Sequence, residues 1–327
     1  MSITSKSKVI LRSVADAAVE DRVRECMEYC DWKNLVPSGA KVIVKPNLCT
    51  AIREKWEMSN TDPRITEAVC KTLQERTRNV ILCESDGLRQ SAWEAFEVSG
   101  YVEMAKRIGV ELVNLTESPW REVDVSPAGR VGLPAPVLDA DVFITLPVLK
   151  THALTYFTGA IKNQWGCVPH YDRILFHRYL DPMLASLHSI FKPSLAIMDG
   201  IVCMEGRGPT NGKPRRMDLI LGSRDSVALD ATAARLVGLD PLKARHLVLT
   251  AKSGLGVIDE SAIEIDGDWD RHSAVFEPAV LDKAIAAMDY MSRYRWFVKY
   301  MLEKDVVFYP IRAGVQWLRK IGVVEGN

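Results

Sequence analysis

Two lysines, a histidine and an asparagine lie within fourteen residues of one another, as Lys150, His152, Lys162 and Asn163. Ammonium groups that lie close together repel, so the pKa of one of them falls and that group can act as a base or as a Schiff-base amine. A histidine beside them can move protons near neutral pH. The alternative is that both lysines are solvated and that His152 caps a helix. Because an apolar run comes directly before the cluster, the sequence favours a site with His152, Lys162 and Lys150 as its catalytic residues.

The elements that must position this cluster form an alternating pattern. Short apolar runs alternate with segments of helical periodicity at 17–30, 63–76, 93–109, 182–191 and 227–237. Such alternation is typical of βαβ units, and continuous apolar runs fit strands that are buried on both faces. The sequence therefore predicts an α/β fold with a mostly parallel sheet and flanking helices. The predicted strands are 9–11, 42–44, 80–82, 110–113, 142–146, 195–198 and 219–221.

Polar residues follow four of the predicted strands directly. Ligands of open α/β sheets bind outside the carboxyl ends of the strands, so the four polar clusters should converge. We expect Lys45, Asn47 and Asn163 to bind a substrate anion and its polarised oxygen. The carboxylates could hold a divalent metal or act as acid and base, or they could form turns with their own backbone. These carboxylates are Glu84, Asp86, Asp199 and Glu205.

A glycine-rich loop, MEGRGPTNGKP, occupies residues 204–214. Gly206 and Gly208 could let the backbone approach an anion and surround it with N–H groups, and a plain rigid turn is an equally good interpretation. The loop matches neither the P-loop nor the dinucleotide fingerprint, so it does not indicate a standard nucleotide site. His177 shares its segment with Asp172 and Arg173, and we expect it to join the anion-binding residues.

Composition and charge exclude several classes of protein. Lys plus Arg equals Asp plus Glu, at 42 each, so nothing global indicates a nucleic-acid partner. We expect no transmembrane segment, because no run of about 18 apolar residues occurs, and no secretory signal, because the start MSITSKSKVILRS lacks an apolar segment. The seven cysteines are scattered and odd in number, which predicts free thiols and a cytoplasmic location. Their spacing contains no ferredoxin-type cluster motif, although four of them lie beside the polar loops, where thiolates could bind a metal.

The last part of the sequence differs from the rest. We divide the sequence into an α/β domain at 1–254 and an extension at 255–327, which holds an edge-like strand and an aromatic helical tail. The tail mixes aromatic and basic side chains, so it could lie on a membrane surface, pack on the domain or form a dimer seam. Packing, or a homodimer through these helices, is the expectation, because Glu303 and Asp305 dilute the charge and Pro310 breaks the helix.

Several segments resemble a known family. Between about residues 40 and 242 the chain reads, in order, VIVKPNL, TDPRITEAV, ESDG, LPVLKTHALTYFTGAIKNQWGCVP, IMDGIVCMEGRGPTNG and SRDSVALDATAARLVGLDP. These segments and their order resemble the domain of unknown function 362 family (DUF362). Members of that family often carry a four-cysteine ferredoxin segment towards the C-terminus, and this sequence has no such segment.

The motif H-x6-G-x2-K-x3-G, with His152 and Lys162 as its histidine and lysine, is similar to a stretch of the lactate racemase family. In that family the histidine is an acid/base group, and the lysine anchors a nickel-pincer nucleotide. The resemblance implies that His152 transfers a proton, that Lys162 is an anchor or electrophile, and that the fold has two lobes with a cleft between them. The racemase stretch has more glycine at this point, where this sequence has Tyr156 and Phe157.

Three functions are open on these grounds. The first is an enzyme that acts on a small anionic metabolite or biosynthetic intermediate by Lys- and His-assisted proton transfer, as an isomerase or as an oxidoreductase fed by an external electron donor. The second is a redox protein that handles a metal or an iron–sulfur cluster. The third is a non-catalytic binding domain that uses the same cleft. The sequence favours the first, with a small anionic ligand as the partner.

Overall fold

The computed structural model describes residues 6–87, 90–168, 171–281 and 283–302, together with residues 310, 314 and 317. Twelve strands occur in this part of the chain. They are β1 (Ser7–Ser13), β2 (Val42–Pro46), β3 (Val80–Glu84), β4 (Glu111–Asn114), β5 (Trp120–Val125), β6 (Gly129–Pro134), β7 (Val142–Leu146), β8 (Val148–His152), β9 (Tyr156–Thr158), β10 (Leu195–Glu205), β11 (Lys213–Ser223) and β12 (Ile263–Asp266).

Helices connect most of these strands. The α-helices are α1 (Val19–Tyr29), α2 (Trp32–Leu35), α3 (Trp56–Ser59), α4 (Pro63–Leu73), α5 (Ala92–Val98), α6 (Tyr101–Ile108), α7 (Ala135–Leu138), α8 (Ala160–Asn163), α9 (Leu180–Phe191), α10 (Ser226–Leu236), α11 (Arg245–Lys252), α12 (Trp269–His272), α13 (Lys283–Met291) and α14 (Arg295–Phe297). The 3₁₀ segments are Gln164–Cys167, Tyr171–Tyr179, Pro241–Lys243 and Glu260–Ala262, and one π-helical turn spans Val298–Leu302.

One ten-stranded sheet forms the centre of the molecule. Its order is β12-β1-β11-β10-β7-β2-β3-β4, with β8 paired to β10 and β9 paired to β8, while β5 and β6 form a separate hairpin. Six of the nine pairings in the large sheet are parallel among the described residues. The predicted α/β fold with a mostly parallel sheet and flanking helices is therefore confirmed. Six of the seven predicted strands lie within observed strands, and the seventh, predicted at 110–113, overlaps β4 from residue 111 onward.

Two hydrophobic layers cover the two faces of this sheet. On one face, α1, α4 and α6 pack their apolar sides against the strands, as Val23, Ile65 and Met104 show. On the other face, α9 and α10 do the same through residues such as Leu187 and Leu229. Strands buried on both faces need apolar side chains throughout, which explains the continuous VFITL run of β7.

Two local features differ from the sequence-based expectation. The helical segment predicted at 93–109 is two helices, α5 and α6, because Gly100 adopts a left-handed conformation with φ +76° between them. Residues 148–152, predicted as a loop, form strand β8, which continues β7 after Pro147 and pairs with the distal part of β10. Lys150 and His152 therefore lie on a strand of the main sheet.

The C-terminal region is described only in part. The predicted edge strand is β12, which pairs in parallel with β1. The predicted helical tail is present over α13 and α14, whereas most of the residues beyond 302 lie outside the described part of the chain. Within the described residues, no helix combines the length and the apolar character needed to cross a bilayer. The division at residue 254 and the two lobes stay predictions.

Candidate functional site

The side chain of Lys162 lies among other cations. It projects from the short helix α8, and its amine makes no hydrogen bond or ion pair with any residue whose side chain the structure describes. Burial, and then the charges of Lys150 and Arg173, lower the pKa of Lys162 from 10.5 to about 7. At neutral pH a substantial fraction of this amine is therefore unprotonated and able to act as a base or nucleophile.

His152 lies beside Lys162 as a neutral imidazole. Its Nδ1 accepts hydrogen bonds from the backbone N–H groups of Leu154 at 3.1 Å and Thr155 at 3.3 Å, which assigns the ring proton to Nε2. Burial, followed by the charges of Lys162 and Lys150, holds the pKa of His152 well below 6.5. The ring therefore offers an Nε2–H donor at neutral pH, which suits the stabilisation of a developing oxyanion.

The hairpin of β8 and β9 gives His152 this geometry. His152 pairs directly with Tyr156, so the three residues between them form a tight turn in which the N–H groups of Leu154 and Thr155 point back at the imidazole. Tyr156 adopts φ +68°, a left-handed conformation that bulky residues rarely take. Strain of this kind is typical of positions where the surrounding structure holds a functional group in place.

Helix α8 is fixed by a buried carboxylate from α10. Asp230 is 0% exposed and accepts the N–H of Ala160 at 2.7 Å and that of Ile161 at 3.0 Å, which caps the helix that carries Lys162. Burial raises the pKa of Asp230 to about 7. A Cβ on Gly159 would lie 2.1 Å from Asp230 Oδ1, so the first glycine of the H-x6-G-x2-K-x3-G motif leaves room for this cap.

A buried ion pair lies behind the site, between β2 and β3. Lys45 Nζ donates to Glu84 Oε2 at 2.7 Å and to Asn163 Oδ1 at 3.4 Å, and the Lys45 and Glu84 side chains are 1% and 6% exposed. The second glycine of the motif, Gly166, packs on this pair, since a Cβ there would lie 2.6 Å from Lys45 Nζ. Three predicted site residues thus meet, and Lys45 already has a carboxylate partner.

Lys150 connects strand β8 to the loop that follows β2. Its Nζ donates to the Ser59 carbonyl at 2.7 Å and to Cys49 Sγ at 3.0 Å. Asn47 Nδ2 donates to the same Ser59 carbonyl at 2.6 Å. Lys150 and Asn47 therefore hold the 47–61 loop against the site, and no described residue accepts the third N–H of Lys150.

The sequence profile of a family described as a domain of unknown function, DUF362, matches residues 42–235. The chain belongs to this family. It is also 31% identical over 229 residues to a thylakoid-associated protein of Synechocystis sp., an alignment that covers 68% of this chain and 70% of that relative.

Two solved structures are similar in fold to this DUF362 protein. The lactate racemase apoprotein of Thermoanaerobacterium thermosaccharolyticum is 15% identical, with a TM-score of 0.46 over 70% of this chain and 56% of that one. A structural genomics target from Thermotoga maritima is 11% identical, with a TM-score of 0.38 over 71% of this chain and 59% of that one. The chain thus spans less than two thirds of the length of each of these structures.

The carboxylates of the DUF362 domain that sequence analysis singled out have separate partners. Asp86 accepts from the Ala92 N–H, Asp199 from the Asp62 N–H, and Glu205 from the Glu277 N–H. Among the residues described, no three His, Cys, Asp or Glu side chains form a group that could hold a metal ion. Nothing in the described geometry adds support to the predicted metal ligands.

Asp199 lies at a different cavity of the DUF362 domain. Burial, followed by the nearby charge of Asp62, raises the pKa of Asp199 to about 7. The cavity measures about 380 Å³, and Trp56, Arg64 and Arg216 line it together with these two carboxylates. Lys162, His152 and Lys150 are not among its lining residues, so this cavity is separate from the lysine cluster.

The glycine-rich loop packs against strand β8. The N–H of Gly206 donates to the Glu277 carbonyl and that of Gly208 to the Gly206 carbonyl, each at 2.8 Å. A Cβ on Gly208 would lie 1.8 Å from the Thr151 carbonyl oxygen, so only glycine allows this close approach. Both N–H groups are thus engaged within the protein, and anion binding by this loop stays a prediction.

His177 and Arg173 extend the basic cluster from the segment Tyr171–Tyr179. His177 Nδ1 lies 3.4 Å from Asp289 Oδ1, and its ring lies against Trp165 at 5.9 Å between centroids. Arg173 donates to Ser85 Oγ at 2.6 Å, and burial lowers the pKa of Arg173. Arg173 was not among the predicted site residues, and neither was Asp230, because nothing local in the sequence relates either of them to Lys162.

Proposed function

We propose that this protein is an enzyme that binds a small anionic substrate beside Lys162 and moves a proton at the carbon next to the anionic group. The observation that carries the proposal is the amine of Lys162, which has no partner among the described side chains and lies near the charges of Lys150 and Arg173 and near the neutral His152. Cations held close together in a partly buried site repel one another, so the site gains free energy when an anion enters.

Each residue has a defined task in this proposal. Lys150 and Arg173 bind the carboxylate or phosphate with N–H groups that no described residue accepts. The neutral amine of Lys162 takes a proton from the adjacent carbon and becomes an ammonium ion. The Nε2–H of His152 donates to the oxygen on which the negative charge develops. Return of the proton to the same carbon or its neighbour completes an isomerisation, which needs no further reagent.

The tautomer of His152 refines the role that the sequence suggested for it. An imidazole whose Nδ1 accepts two backbone N–H bonds cannot easily take up a second proton, because that would turn an acceptor into a donor facing two donors. We therefore assign proton abstraction to Lys162 and hydrogen-bond donation to His152. We also propose a cytoplasmic location, which the seven free cysteines support.

The pH dependence of turnover tests this assignment. Native and denaturing mass spectrometry of the protein as isolated first identifies a co-purified ligand. With that substrate or its product, we expect kcat/KM to rise with pH through about 7, because Lys162 must lose its proton before it can act as a base. A bound anion favours the ammonium form of Lys162, so kcat should rise at a higher pH than kcat/KM does.

His152→Gln separates the two roles. Since His152 is neutral in this range, the substitution should lower kcat by about 10²–10³-fold and leave the rising limb of kcat/KM in place. Loss of the limb in His152→Gln would assign the base to His152 and contradict the proposal. Binding of the ligand with no turnover at any pH would make the protein a non-catalytic binding domain.

A further inference from the structure

The end of the described chain exposes a face in which aromatic and basic side chains alternate. Along α13, α14 and the π-helical turn, Tyr290, Tyr294, Trp296 and Tyr300 are 44–53% exposed. Large aromatic side chains are seldom this accessible in one short segment, since each exposes apolar area to water. The basic side chains exposed between them are Arg293, Arg295 and Lys299.

The inner side of the same segment is anchored to the protein. Ser292 is 0% exposed and Val298 is 1% exposed, so the segment packs on the domain through these positions. Asp289 points inward, 3.4 Å from the ring of His177. The orientation of the segment is therefore set by packing, and the aromatic and basic side chains are held outward.

This face has an excess of positive charge, although the whole protein has a formal net charge of zero. Residues 283–302 contain four Lys or Arg and a single carboxylate, Asp289, which lies 3.4 Å from His177 Nδ1 and 3.9 Å from Arg293 Nη2. The cations lie over the aromatic rings, with Arg293 5.1 Å from the centre of the Tyr290 ring and Lys299 5.6 Å from that of Tyr300. Within residues 283–302 the segment thus combines flat amphipathic rings with an excess of positive charge.

We propose that this face, formed by residues 290–300, binds the surface of an anionic lipid bilayer without crossing it. Tyr and Trp rings favour the headgroup level of a bilayer, where their apolar part is buried and their polar atom stays hydrated. Lys and Arg next to them are attracted by anionic headgroups, each by about 1 kcal/mol. A symmetric dimer through the same face would bring Arg293 and Lys299 of two copies together, which disfavours self-association.

Vesicle flotation of the full-length protein tests the proposal. We expect binding to vesicles that contain phosphatidylglycerol, weakening as salt is added, and much weaker binding to phosphatidylcholine alone. Arg293→Gln combined with Lys299→Gln should reduce the partition coefficient roughly 25-fold, or about fivefold for each cation. Trp296→Ala combined with Tyr300→Ala should reduce it at all salt concentrations, because the rings contribute apolar contact.

Matched controls lie on the β5–β6 hairpin. Trp120→Ala removes a tryptophan that is 51% exposed, as Trp296 is, and Arg121→Gln with Arg130→Gln removes two exposed cations. Both controls should bind vesicles as the unmodified protein does. Failure of the unmodified protein to float with anionic vesicles would overturn the proposal, as would equal losses in the controls. A dimer in light scattering that Trp296→Ala with Tyr300→Ala dissociates would identify the face as a subunit interface instead.

Discussion

Replacement of Lys162 by methionine should lower turnover by about 10²–10⁴-fold while the protein stays folded. The substitution removes the one amine of the site that has no partner among the described side chains, and with it the proposed base. Methionine has a similar length and no charge, so the packing around α8 is retained. Lys106→Met is the matched control, because it removes an exposed lysine from α6 on the surface, and its turnover should be unchanged.

The same substitution should raise the free energy of unfolding near neutral pH. The pKa of Lys162 is about 7 when folded and 10.5 when free, so the unfolded chain binds more protons between these values. The free energy of unfolding of the unmodified protein should therefore rise with pH from about 7 to about 10.5, because the folded protein no longer has to hold Lys162 in its charged form. Lys162→Met has no amine to protonate, so the amount by which its free energy of unfolding in urea exceeds that of the unmodified protein should shrink over the same pH range. Full turnover of Lys162→Met would remove the basis of the proposed mechanism.

Loss of the carboxylate in Glu84→Gln should reduce the free energy of unfolding by about 3–5 kcal/mol. Glu84 is the counter-ion of Lys45 at 2.7 Å, and both side chains are almost fully buried. Its carboxylate also accepts the N–H groups of Leu48 and Ser85. Without it, the Lys45 ammonium is left buried and unpaired, which costs far more than an exposed ion pair contributes.

The double variant Lys45→Met/Glu84→Gln and an exposed pair serve as controls in urea denaturation. Removing both charges should restore most of the lost stability, since no uncompensated ion remains. Glu122→Gln, whose partner Arg130 is 75% exposed, should change the free energy of unfolding by well under 1 kcal/mol. A loss in Glu84→Gln no larger than that in Glu122→Gln would mean that the Lys45–Glu84 pair does not hold β2 and β3 together at the site.

Much of the fold could be predicted from the sequence, because buried parallel strands are recognisable as continuous apolar runs. The β7 run 142–146 and the β2 run 42–44 are examples, and both lie in the middle of the sheet. Strand β8 could not be predicted in the same way. Its sequence, VLKTH, carries a lysine and a histidine, and its five residues are buried because other polar groups satisfy those side chains. Local hydrophobicity cannot reveal a strand of that kind.

The candidate site was predictable in its central residues and not in its contacts. Polar residues at the carboxyl ends of parallel strands meet at one edge of the sheet, which led us to expect Lys45, Glu84 and Asn163 close together. The structure places them in one hydrogen-bonded group. The sequence could not show that Lys45 has a carboxylate partner whereas Lys162 has none among the described side chains. That difference depends on pairings between residues 39 to 118 positions apart, and a single sequence contains no signal for them.

The proposed mechanism requires that a substantial fraction of the Lys162 amine is unprotonated at neutral pH. The chemical reactivity of this amine measures that fraction most directly. The full-length protein is treated briefly with acetic anhydride across a pH series, and peptide mass spectrometry gives the acetylation rate of each lysine, with exposed Lys106 as the internal reference. We predict that the acetylation rate at Lys162 is half-maximal near pH 7 and then levels off, because the neutral amine is the reactive form. A Lys162 rate that is still rising near pH 10, as for an ordinary lysine, would contradict this mechanism.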